Sequence, residues 1–152
     1  MIPRDWIFLL IPIFLNGVLI FALQKRFEKR QFSNAIKHNH ILELLRRIDE
    51  ALSVMYDIRI YSHNRTEDPS YVDNFVEKIN TLHNKNIDIY FWMEQNENTF
   101  RFVKKETADL KEHIDWFFDN KQGMKEADIA IKLEELFKAL QEIKAVCETV
   151  KL

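Results

Sequence analysis

Hydrophobic and polar positions fall into two regimes along this chain. From Trp6 to Leu23 the sequence reads WIFLLIPIFLNGVLIFAL, 18 positions without a charged side chain. Beyond Leu23 the apolar residues thin out and recur at helical spacing. As a helix, the first stretch would cover about 27 Å, close to the ~30 Å hydrocarbon core of a bilayer. In lipid every peptide group must bond within its own segment, so a lone span is helical. The pattern therefore predicts a transmembrane helix over 6–23, with residues 1–5 as a short extracytoplasmic tail. A cleaved signal peptide fits less well. Asp5 offsets Arg4 ahead of the run, and Gln24, Lys25 and Arg26 follow without a small-residue cleavage site. A buried core helix would carry polar residues at helical spacing, and only Asn16 interrupts here.

The second regime predicts a helical bundle. No Gly or Pro falls between Gly17 and Asp68, so the span is expected to continue as one long helix. Residues 24–40 read as a basic juxtamembrane stalk. Ile41, Leu44, Ile48, Ala51, Met55 and Ile58 then step by three and four, the seam of a coiled coil or bundle. Leu45 and Leu52 widen that seam towards a bundle. The helix should fail over Tyr61 to Glu67, and Asp68-Pro69 should restart the next one as N-cap and first-turn proline. Tyr71, Val72, Phe75, Val76, Ile79 and Leu82 form the stripe of that second helix. Asn84-Lys85-Asn86 reads as a short break. Residues 87–93 alternate like a strand and also fit a helix. A lone strand would have no partner, so helix is expected to about Asn96. Asn96-Glu97-Asn98 reads as a turn. Leu110, Ile114 and Phe117 mark the next helix, with Trp116 and Phe118 adding bulk, ending over Asp119 to Gly123. Ile129, Leu133, Leu136, Leu140, Ile143, Cys147 and Val150 mark the last. The predicted class is all-α: a single N-terminal transmembrane helix continuing into a cytoplasmic up-down bundle over 41–152.

Composition and charge sharpen this picture. The chain has 152 residues with only two Gly and three Pro, which favours helices joined by short connections. The net charge of −2 hides a polarity. Residues 24–47 carry seven basic and two acidic side chains, and residues 48–152 carry fourteen and twenty-one. Lys25, Arg26, Lys29 and Arg30 follow the apolar run, against Arg4 alone before it. The positive-inside rule then places the C-terminal part in the cytoplasm, with Trp6 as an interfacial anchor. The same four residues form a collar suited to anionic headgroups. The acidic remainder repels nucleic acid. Expected partners are the lipid bilayer, further copies of this chain and a cytoplasmic protein. Cys147 is the single cysteine, so no intramolecular disulfide forms, which fits a reducing compartment.

Chemistry is sparse. Pro12 and Asn16 are four apart and share a face of the span. That face could associate with copies of itself or line a pore, since an interhelical amide bond is worth ~0.6–2 kcal/mol in lipid. Asn16 bonding its own backbone explains it as well. Gly17 has Ile13 and Phe21 four positions away, so no GxxxG motif is present. None of His38, His40, His63, His83 and His113 has a glutamate three before it, as di-iron bundles require. Asp109 and His113 share a helical face and read as a solvated pair. Cys147 lies on an apolar stripe and reads as a small core residue. Tyr90-Phe91-Trp92 reads as core ahead of a partner patch. Walker, Rossmann, zinc-ribbon and nucleophile-elbow patterns are missing, and no catalytic residue, metal-ligand set or cofactor motif is identified. Arg59, His63 and Arg65 near a helix end could hold a phosphate, or could be a solvated helix terminus. Some anchored helical bundles are ribonucleases of the HEPN type, but Arg59 and His63 stand closer together than the Arg and His of that motif. Three readings follow, in this order. The first is a non-enzymatic, membrane-anchored helical interaction protein that self-associates. The second is an oligomeric pore-forming or membrane-disrupting effector of the toxin or phage-defence kind. The third is a membrane-tethered nuclease with a degenerate motif.

Overall fold

A computed structural model of the chain describes the backbone over residues 4–63, 70–120 and 126–150, and side chains over 18–60, 70–71, 73–120 and 128–150. Helix α1 spans Arg4–His63, α2 Tyr71–Gln95, α3 Glu97–Phe100, α4 Lys104–Asp119 and α5 Glu126–Thr149, with a 3-10 turn over Arg101–Val103 before α4. The fold is all-α, with no strand among the described residues. Two compact units meet inside α1, Met1–His38 and Asn39–Leu152.

The second unit is a helical bundle, and the apolar spacing dictates how it forms. Ile41, Leu44, Ile48, Ala51, Met55 and Ile58 are all buried. They meet Leu82, Ile89 and Met93 of α2, Leu110 and Phe117 of α4, and Leu133, Leu136, Leu140, Ile143 and Cys147 of α5 in one contiguous core. Side chains fix the directions. Along α1, His40 faces Thr99 at 3.4 Å. Ten residues on, Glu50 accepts from Lys85 at 3.0 Å, so α2 runs antiparallel to α1. On the other flank, Lys144 of α5 donates to Asp49 at 2.6 Å. Arg59 then reaches back to Glu134, which makes α5 antiparallel to α1 as well. Helix α4 lies against both α2 and α5. Thr107 contacts Met93 at 3.6 Å, and Lys132 sits 5.3 Å from the Trp116 ring centroid. The result is an up-down ring in the order α1, α2, α4, α5, as short connections favour.

Three local expectations are corrected. Asn84-Lys85-Asn86 does not break the helix, since α2 continues to Gln95. Asn86 falls on the buried stripe at 2% exposure, between Leu82 and Ile89. Packing of that stripe overrides the weak local preference of asparagine for turns. The reversal after α2 is tighter than expected. Only Asn96 is a turn, and Glu97–Phe100 is already helical. The Asn96 N–H donates to the carbonyls of Trp92 and Met93, both at 3.2 Å. Phe100 and Val103 then plug the end of the core. Phe118 adds no bulk to that core, being 69% exposed, and Val76 is 50% exposed. Each sits at the edge of its helix's apolar stripe, turned away from the fully buried line through Leu82, Ile89 and Met93 or Leu110 and Phe117.

The start of the chain is helical from Arg4. No helix among the described residues is long and apolar enough to cross a membrane. The expected span over 6–23 is thus not supported among the described residues. Only 18–23 of it fall among the described side chains, and Pro12 and Asn16 lie outside them. Asp68, Pro69 and Arg65 also lie outside the described residues. Ser70 precedes α2, and its carbonyl accepts the Asn74 N–H at 3.0 Å.

Candidate functional site

In the unit Met1–His38, the described helix presents apolar side chains at successive positions. Val18, Leu19, Ile20, Phe21 and Leu23 are each between 57% and 63% exposed. Five such positions within six residues point all round the helix at ~100° per residue. In general a helix apolar all round is one buried in a protein core or a bilayer. Lys25, Arg26, Lys29 and Arg30 follow and are all exposed. Lys25 lies 5.2 Å from the Phe21 ring centroid, a cation–π distance. Arg26 and Arg30 instead flank an open groove formed by Ile20, Leu23 and Phe27. Phe32 is 70% exposed a turn further on.

The bundle carries two polar clusters. The first joins α1 to α2. Trp92 stands edge-on to His40, with centroids 5.6 Å apart. Its indole N–H points to the His40 carbonyl at 3.4 Å. Arg47 covers the same ring at 4.9 Å. Arg46 donates to both oxygens of Glu43, at 2.9 and 2.7 Å. Arg47 donates to Glu43 at 2.9 Å. The hydrogen bond from Arg46, reinforced by both guanidinium charges, holds the Glu43 carboxyl down at about 2. Lys85 likewise lowers Glu50 by hydrogen bonding to it. The cluster pairs each cation with a carboxylate or a ring, so it reads as a fastener between helices.

The second cluster borders a groove of about 350 Å³ between α2 and α4. Met93 and Phe100 form its floor, with Glu94, Arg101, Lys104 and Lys111 around it. Tyr90 lines the groove too. Burial, then the nearby Glu94 carboxylate, pushes its phenol up from the ordinary value. A raised phenol stays protonated at neutral pH and cannot serve as a base.

The residues singled out in the sequence do not come together as one reactive site. Arg59 is tied to α5, paired with Glu134 and stacked 4.7 Å from the Phe137 ring centroid. The side chain of His63, and Arg65 entirely, lie outside the described residues. His113 turns towards Glu135 at 3.9 Å. No group of three or more His, Cys, Asp or Glu among the described residues is placed to hold a metal ion. Cys147 is buried in the core, and burial pushes its thiol up to about 11. Tyr90 and Trp92 are half-buried, whereas Phe91 is 55% exposed. Sequence reasoning missed the His40–Arg47–Trp92 fastener. Its one visible signal was the spacing of seven between His40 and Arg47, which puts both on one flank of the seam.

Site and fold together define an all-α up-down bundle preceded by an exposed apolar and basic helical segment. Compared with known proteins, the chain matches no protein-family model, no curated protein and no solved structure.

Proposed function

We propose that this chain is a membrane-anchored helical interaction protein, without catalysis of its own, that self-associates and presents its bundle to a cytoplasmic protein partner. One observation carries the reading: five of the six positions from Val18 to Leu23 are large apolar side chains exposed on every side of a helix. They continue the uncharged run that begins at Trp6. Burying such a surface in hydrocarbon is worth ~25 cal/mol per Å² of apolar area. The basic residues that follow favour a cytoplasmic bundle by the positive-inside rule. Self-association is supported by the sequence alone, through Asn16 and Pro12 on one face of the run. Carbonate washing of membranes containing the full chain tests the anchor. The protein is expected to stay in the pellet with its N-terminus intact. Release into the supernatant, or a mature product starting after Leu23, overturns the proposal.

A further inference from the structure

We infer that one face of the basic collar, that of Arg26 and Arg30, holds the phosphate of an anionic glycerophospholipid, with its acyl chain along Ile20, Leu23 and Phe27. The inference rests on the membrane-anchor reading and assigns it a lipid class. At ~100° per residue, the four basic side chains split into two pairs. Lys25 and Lys29 fall on one side of the helix. Arg26 and Arg30 lie about 100° round from them, beside Leu23 and Phe27, and they border the groove. Lys25 is already drawn over the Phe21 ring on its own side. Glu28, the acidic residue of this segment, projects to that lysine side, so no carboxylate stands between the arginines.

The chemistry of the two pairs differs. A guanidinium is a planar fork that takes a phosphate through two parallel hydrogen bonds, and it sheds water more readily than an ammonium does. Two of them one turn apart can close on the same phosphate from either side. The apolar residues immediately N-terminal give the attached chain a path into the hydrocarbon. Lysines snorkelling on the neighbouring face add general positive charge but no such fork. The occupant is thus a lipid with a net negative phosphate group, for which a zwitterionic lipid is a poorer match because its own amine competes for the phosphate.

The test uses the full chain in vesicles of phosphatidylcholine, alone or mixed with phosphatidylglycerol, followed by native mass spectrometry of lipids retained after detergent release. Wild-type protein is expected to keep phosphatidylglycerol over phosphatidylcholine on the order of tenfold. Arg26→Gln/Arg30→Gln should lose most of that preference, and Lys25→Gln/Lys29→Gln should keep it. Equal loss in the two double variants would mean diffuse charge and overturn the inference. So would displacement of the lipid by an equal concentration of inorganic phosphate, which would mark a bare anion site. An arginine variant that changes oligomer size by light scattering and leaves lipid preference intact would assign the face to a second copy instead, and equally overturns it. Carbonate washing of the phosphatidylcholine vesicles separates the two levels. Protein that washes off ends the anchor reading itself, whereas protein that stays embedded without preference ends only this inference.

Discussion

Asn86 and Cys147 are the residues whose surroundings most constrain their behaviour. Asn86 is 2% exposed, and its side-chain oxygen has no hydrogen-bond partner. An unpaired buried polar group costs ~1–3 kcal/mol. Leucine has the same branched outline of four side-chain heavy atoms and no polar group to satisfy. Asn86→Leu is therefore expected to raise the thermal midpoint of the full chain in detergent, with ~1–2 kcal/mol of added stability. Circular dichroism melts would read it, and a lower midpoint would mean the amide is satisfied in solution. Cys147 behaves oppositely, as an inert group. Only the thiolate attacks disulfides. With its thiol pushed up to about 11, folded protein at mildly alkaline pH should leave a chromogenic disulfide reagent unchanged, and denaturant should release one reacting thiol per chain. The core role of Cys147 was legible from the spacing of Leu140, Ile143 and Cys147. That of Asn86 was legible too, as the fourth position after Leu82, but its residue type pulled the reading towards a break. Composition signals what a segment prefers in isolation, and a stripe packed on three other helices outweighs it.

At the level of the element, α1 gathers an ion ladder that ties its own turns and then α2. Glu43 receives both Arg46 and Arg47, while Glu50 receives Arg46 and Lys85. The folded value of Glu43 sits at about 2, below its ordinary 4.5. A carboxyl lowered on folding stabilises the protein fully above its unfolded value and loses that contribution as pH falls through the folded one. The window is therefore from about pH 4.5 down to about 2. Glu43→Gln should flatten this acid limb, so its midpoint falls less than that of wild type between neutral and acidic buffer. The effect is small, because the ladder meets solvent and exposed pairs are screened. Identical acid limbs in the two proteins would remove Glu43 from the account. Helix identities were readable because spacing alone decides which face is buried, as the six seam residues from Ile41 to Ile58 demonstrate. The reversal over Asn96 to Val103 was not, since its helical turn and 3-10 turn depend on Phe100 and Val103 closing the core. A contact between distant segments leaves no periodic trace in either of them.

For the whole molecule, the division inside α1 leads to an asymmetric expectation. The unit Asn39–Leu152 closes its own core, with residues from α1, α2, α4 and α5 all buried together. Its ~110 residues are enough for a self-sufficient core. The unit Met1–His38 has exposed apolar side chains from Val18 to Leu23 and nothing buried among its described residues. A chain starting at Asn39 is therefore expected to fold cooperatively and stay dispersed in buffer without detergent, while the full chain needs detergent or lipid. Light scattering on both then locates self-association. A monomeric Asn39 form beside an oligomeric full chain would place the contacts before residue 39, where Pro12 and Asn16 lie. An oligomeric Asn39 form would move them onto the bundle, whose exposed apolar side chains include Phe91, Phe118 and Ile131. An unfolded Asn39 form would show that the earlier residues complete the core. The two units then fail or succeed for different physical reasons, the bundle through its packing and the earlier helix through the medium around it.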